Sequence, residues 1–221
     1  MSSKVSKLFT QPDLDRITAA VKEAERTTSG EIVPYVVDRS DDYDEAVWRS
    51  GFLCAMIALS VFLVVRLFTD QWLPSTIIII LMTFAAAGVG LLLVNFISAF
   101  KLFFAGNDDI EMRVSQRAKE VFLAEEVFKT RARTGILIFL SLLEKRVAVL
   151  GDAGINAKVA ESDWKDIVKL VVDGMHNGKP AEGLIDAIQR CGKLLHAHGV
   201  EIRPDDKDEL INALRMGGKQ S

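Results

Sequence analysis

Two long runs without a single Asp, Glu, Lys or Arg, Ser50 to Val65 and Gln71 to Phe100, constrain this chain more than any other feature. The second is longer than the ~20 residues a helix needs to cross a hydrocarbon core. Thirteen residues between Ser75 and Ile97 are Leu, Ile, Val or Phe. Their gross insertion term is about −4 to −8 kcal/mol, which outweighs the cost of Asn95 and the glycines. Arg49 and Arg66 flank the shorter run and can extend their charged ends to the headgroups while their stems stay apolar. Ile77 to Phe100 shows no polar face, whereas a helix packed on the outside of a soluble core normally has one. The expectation is a membrane hairpin with spans at about 48–68 and 74–98. Its tight link, Arg66 to Pro74, carries Trp72 as an interfacial ring and Pro74 at the start of the second helix.

A hairpin leaves both flanking portions on one side. Arg39, Arg49, Lys101 and Arg113 flank the spans there, with Arg117 and Lys119 close behind, while the link holds only Arg66. The positive-inside rule then places the soluble part in the cytoplasm and the spans in the plasma (inner) membrane. Met1 to Thr10 is too polar for a secretion signal. Cys54 falls within the first span and Cys191 on an apolar helical face, so no disulfide is expected. A net charge of −3 gives no general attraction to nucleic acid, and none is expected as a partner.

The remaining ~170 residues suffice for one core. Leu14, Ile17, Val21 and Ala24 recur at helical spacing over Pro12 to Thr28, with Thr10 to Asp13 as a start signal and Gly30 as a stop. Glu31 to Asp38 (EIVPYVVD) reads as a strand, in which Pro34 argues for an edge, an end or a bulge. Asp108 to Ala132 reads as one amphipathic helix through Ile110, Val114, Ala118, Val121 and Phe128. Gly135 to Leu142 and Arg146 to Leu150 read as a β-hairpin buried on both faces, turning at Glu144 and Lys145. Two helices follow. One carries Trp164, Ile167, Val171 and Met175 behind an Asp163 cap, and the other carries Leu184, Ile188, Cys191 and Leu195 between Pro180 and Gly199. Arg203 to Gln220 reads as a polar tail with a short helix at Lys207 to Met216.

This order gives an α/β class, a small αβα sandwich interrupted by a transmembrane helical hairpin. Residues 1–46 and 101–200 form the two parts of the folded domain, 47–100 the hairpin and 201–221 the tail. The strings GEIVPYVV, RARTGILIFLS, KRVAVLGDAGIN and HNGKPAEG, in that order, resemble the TPM domain over about Leu8 to Val200 with the hairpin set aside. That family is found in a thylakoid lumen protein and in many bacterial membrane proteins. The resemblance implies an αβα sandwich. Some members are described as calcium-binding or as acid phosphatases, and others as assembly or repair factors for membrane complexes. Many carry Asp-Asn-Gly before the strand equivalent to GILIFLS. Here Arg133, Thr134 and Gly135 stand there, a cation in place of an acidic ligand. Many also have a secretion signal and a terminal anchor, which differ from the internal hairpin expected here.

If the first strand and GILIFLS are parallel, RVAVL runs antiparallel to both, and Glu31, Arg133, Thr134 and Asp152 meet at one polar edge, away from the end that leads into the hairpin. The functional reading of that edge is a phosphate or metal site, with Asp152 as an oxygen ligand for calcium or magnesium. The plainer reading is a turn at Gly151, Asp152 and Gly154 and a surface ion pair at Arg133, and it is preferred, with no metal ligands assigned and no cofactor expected. Gly151 to Asn156 lacks the spacing and the Lys-Ser/Thr ending of a P-loop. His196 and His198 diverge on a helix end, and His176 with Asn177 and Gly178 reads as a helix stop. Ser141 lies in a strand with no identifiable base, and no catalytic residue is assigned. Gly88, Gly90 and Ala85 to Ala87 form a smooth face suited to close helix contact, within the hairpin, with a second copy or with a protein partner. Two functions follow as expectations: an interaction or assembly factor on the membrane surface, or a metal-dependent phosphatase-like hydrolase.

Overall fold

The computed structural model describes residues 4–68, 75–200 and 210–217. The chain divides into two compact units, residues 1–41 with 112–221 and residues 42–111.

The first unit is built on a four-stranded sheet in the order β3-β2-β1-β4. Strand β1 (Ile32–Val37) runs parallel to β2 (Ile136–Ser141), with Ile32 opposite Ile136 and Val37 opposite Ser141. β3 (Arg146–Gly151) returns antiparallel to β2, and β4 (Arg215–Gly217) adds a short parallel strand beside β1. Successive strand residues face opposite sides, so Ile32, Val36, Ile136, Ile138 and Leu140 enter one core. That core is closed by α2 (Gln11–Glu25), α8 (Glu161–His176) and α9 (Pro180–Ala197) through Ile17, Val21, Ile167, Val171, Leu184, Ile188 and Leu195. The other face carries Val33, Tyr35, Leu137 and Phe139, with the Tyr35 and Phe139 rings stacked at 6.1 Å. Helix α6 (Asn107–Ala124) lies on this face: its Val114, Ala118 and Val121 are buried, and the Arg117 charge acts on Tyr35. Burial, followed by the Glu125 charge, raises the Tyr35 phenol above its ordinary value. The result is the expected α/β sandwich.

Pro34 sits in an internal strand, and the ladder explains how. The β1 carbonyls of Glu31 and Val37 accept from Ile136 and Leu142, so odd residues of β1 bond β2 and even residues turn the other way. On that other side β4 reaches only Tyr35 to Val37. Pro34 therefore has no ladder bond to lose, and β1 is locally an edge there, as its missing donor requires. Ile32, one step back on the same side, donates to Glu25 Oε1 at 2.8 Å, and Glu25 Oε2 accepts from Asn212 Nδ2 at 2.6 Å.

Several expectations are corrected. The helix expected to reach Ala132 ends at Ala124; Glu126 adopts φ +57° and Val127–Lys129 form a 3-10 turn, so Val127 is buried where Phe128 was expected to be. Of the two strands of the expected hairpin, β2 is buried on both faces and β3 is not, because β3 is the outer strand and is exposed or half-buried throughout. Asp163 is not the cap of α8, which follows Ala160; Asp163 lies in the first turn, 3.6 Å from Arg190 Nη2. In the tail, Arg215 and Met216 extend in β4 instead of a helix, and 201–209 lie outside the described residues. The polar N-terminal stretch holds α1 (Lys4–Leu8), which buries Val5.

In the second unit, α3 (Asp44–Phe68) and α4 (Thr76–Phe96) are each long and apolar enough to cross a membrane. Of their most apolar windows only 6 % and 11 % is buried, the opposite of a soluble core helix. The two pack through small residues. Ser50 Oγ donates to the Gly90 carbonyl at 3.1 Å, and a Cβ at Gly90 would stand 2.8 Å from Ser50 O and Cys54 Sγ. Gly88 meets nothing within 4 Å, so only part of the smooth face is used between these helices. The second apolar run is not one helix: Ile97 breaks it at φ −115°, and α5 (Ser98–Ala105) follows. The expected link falls largely outside the described residues, at 69–74.

Candidate functional site

The polar edge is assembled by strand register. Ile136 stands opposite both Ile32 and Gly151, which brings the residues before β1, before β2 and after β3 to one end of the sheet. The Asp152 amide donates to the Gly135 carbonyl at 2.9 Å and the Ile136 amide to Glu31 O at 2.8 Å, extending both ladders by one step. Gly135 is required by space, because a Cβ there would lie 2.1 Å from the Val127 carbonyl oxygen.

Arg133 and Asp152 form a two-pronged pair. Arg133 Nε donates to Asp152 Oδ2 at 2.6 Å and Nη2 to Oδ1 at 2.9 Å, the fork geometry that matches a carboxylate. Oδ1 also accepts from the Ala153 amide at 2.7 Å, so Asp152 caps the short helix α7 (Ala153–Asn156). The partners differ sharply in exposure: the Asp152 side chain is 4 % exposed and that of Arg133 55 %. This is therefore no ordinary surface ion pair, because its anionic half is withdrawn from water. The hydrogen bond, then the charge, of Asp152 raises Arg133 above the ordinary guanidinium range. Arg133 has φ +57°, its carbonyl accepts from the Gly154 amide at 2.9 Å, and its guanidinium lies 5.8 Å from the Phe128 ring centre.

Thr134 and Glu31 complete the edge. Thr134 Oγ1 donates to Ser29 O at 3.3 Å, and its amide to Thr130 Oγ1 at 3.0 Å. Glu31 is buried at the same strand end. Thus register unites all four expected residues, while the side-chain contacts of Arg133 bind it to Asp152. Among the described residues, no group of three or more His, Cys, Asp or Glu is arranged to hold a metal ion. The Asp152 carboxylate is committed to three donors and a fixed cation stands beside it, a donor set that does not fit a hard divalent ion.

A second polar cluster, at the opposite end of the sheet, was missed by sequence reasoning. Ser141 Oγ donates to Glu144 Oε2, and Glu144 Oε1 accepts from the Ser40 amide at 2.9 Å. Asp38 accepts from the Val5 amide at 3.0 Å. Ser141 is fully buried, so this pair closes the β2–β3 turn and presents no nucleophile. The only local signal was the serine three residues before a glutamate, and the partnership of Ser40 depends on contacts across 104 positions. Cys191 is inert, since burial pushes its thiol up to about 12. His176 ends α8, while His196 and His198 stand in the last turn and at the cap of α9, where the helix ends were expected to place them.

With this geometry in view, the class is an αβα sandwich carrying a helical insertion of two long apolar helices. Residues 100–194 match the family model of the TPM domain. The chain is similar over 97 % of its length to 99 % of the BA42 protein from the psychrophilic bacterium Bizionia argentinensis, solved by NMR, with a TM-score of 0.59 and 20 % identity. At that identity the likeness shows the fold. A search of curated proteins gave no match. The strings GILIFLS, KRVAVLGDAGIN and HNGKPAEG, from which the TPM resemblance is read, all lie within the matched residues, so that stretch of the chain is similar to the TPM domain.

Proposed function

We propose that this chain is a TPM domain protein, anchored in the plasma (inner) membrane by α3 and α4 and acting on the cytoplasmic side as an interaction or assembly factor. The observation that carries the reading is the outward display of large apolar side chains along both helices, among them Leu63, Ile77, Leu81, Phe84 and Leu92. In water such a surface far exceeds the few hundred Å2 that a soluble monomer exposes, whereas in lipid it is the expected exterior. The anchor thus supplies location, and the folded unit supplies the binding surface.

The Arg133–Asp152 fork favours binding over hydrolysis, because it neutralises the carboxylate a metal would need. The competing reading, a metal-dependent phosphatase-like hydrolase, is favoured by the family name, which pairs TPM with phosphatase. One experiment separates them. The full-length chain, purified from membranes, is assayed against a phosphate monoester with calcium or magnesium beside Asp152→Ala. Equal background rates, with a crosslinked protein partner recovered from intact membranes, are expected. Metal-dependent turnover lost in Asp152→Ala would establish the hydrolase instead.

A further inference from the structure

A cavity of about 200 Å3 opens in the first unit, between the β2–β3 turn and the last turns of α8. Leu140, Val147, Val172 and Met175 line it, and Lys145 and His176 stand beside them. The volume is below the ~300 Å3 at which cofactor and drug-sized pockets begin, and equals the share of about six or seven liquid waters. It suits one short apolar group.

The polar groups set the sign of what enters. Lys145 and His176 are exposed and, among the described residues, neither side chain makes an ion pair or hydrogen bond. Glu144, the carboxylate next to Lys145 in sequence, is turned away into Ser141 and the Ser40 amide, and Asp173, three residues before His176 on α8, makes no ion pair with it. Lys145 itself is held at φ +52°, a conformation uncommon for a lysine. An apolar cleft with an unneutralised ammonium and a ring N–H at its side is complementary to a small anion with a hydrocarbon tail. Met175 adds an unbranched side chain that adapts to a variable tail.

We propose that this cavity binds a short-chain carboxylate, the tail against Val147, Val172 and Met175 and the head on Lys145 and His176. The site lies at the opposite strand end from Arg133 and Asp152 and does not depend on their role.

The test is a titration of the full chain in lipid nanodiscs, labelled with 13C at the methionine methyls, with hexanoate as the probe and hexylamine and hexanol as controls. The Met175 methyl is expected to shift saturably with hexanoate and not with hexylamine. Lys145→Asn, which tolerates the left-handed backbone, and His176→Asn are each expected to weaken binding by about fivefold, the upper end for an exposed charge contact. Val172→Phe, which fills the cavity, is expected to abolish the shift, with an unchanged spectrum elsewhere showing that the fold is intact. Three results would overturn the proposal: no response at Met175, an equal response to hexylamine or hexanol, or shifts confined to Met56 and Met82 of α3 and α4, which would report partition into lipid.

Discussion

Replacing Arg133 by Asp would convert the polar edge from a closed ion pair into two facing carboxylates. Asp152 is 4 % exposed and would lose both guanidinium bonds, at 2.6 and 2.9 Å, keeping only the Ala153 amide. Breaking a fully buried pair costs roughly 3–5 kcal/mol. Arg133 is 55 % exposed, so water screens the pair and the loss falls well short of that of a buried pair, with like-charge repulsion between the two carboxylates adding to it. Part of this is returned, because Asp tolerates φ +57° better than Arg does. For a chain of this length the net change is expected to be a fall of a few °C in melting temperature. The assay is thermal unfolding in detergent with and without 10 mM calcium. Wild type should show no calcium shift, whereas Arg133→Asp should recover stability, by about 2.7 kcal/mol if calcium reaches 100 times its dissociation constant. A calcium-dependent rise in wild type equal to that in the variant would refute the view that the guanidinium occupies the place of a cation.

Further outcomes follow from other contacts. Glu25→Ala strands the Ile32 amide and releases Asn212, and should cost about 2–3 kcal/mol, with faster hydrogen exchange at Ile32 as the local reading. Gly90→Val would press on Ser50 O and Cys54 Sγ and should separate α3 from α4, detected as lost crosslinking between Cys54 and a cysteine placed at Ala87. Thr10 Oγ1 and its amide donate to Asp13 at 2.7 and 3.0 Å, bonds that hold the Asp13 carboxyl below its usual range. A depressed carboxyl stabilises above its unfolded value and loses that effect as the pH falls through its folded one. Thr10→Ala should therefore cost about 1 kcal/mol at pH 7. The gap from wild type in acid unfolding should narrow below about pH 4.

What the sequence made legible was whatever periodicity or composition marks locally. The two apolar runs announced α3 and α4 because nothing in them could face water. The polar edge was legible by a chain of topology: a crossover between two strand-like runs implies parallel pairing, a two-residue turn implies antiparallel return, and residue positions at the ends then follow. That reasoning placed Arg133 beside Asp152 but misjudged the pair as superficial, because nothing local to Asp152 marks it as a buried cap of α7. β4 was invisible for a different reason. Three residues, Arg215 to Gly217, gain their extended form from pairing with Tyr35 to Val37 and from the Arg215 to Glu125 ion pair at 2.5 Å, far away in sequence. Pro34 was read correctly as needing an open edge, yet the strand it sits in is internal, since β4 starts just beyond it. The end of α6 was missed because its stop is a glutamate at φ +57°, without the glycine that usually marks such a position.

The central claim is that α3 and α4 cross the bilayer together and return the chain to one side. Single cysteines at Ser75, at the start of α4, and at Ser115, within α6, are labelled in intact cells with a membrane-impermeant maleimide before and after permeabilisation. The account predicts labelling at Ser75 from outside and at Ser115 only after permeabilisation. Labelling of both positions from the same face would contradict it.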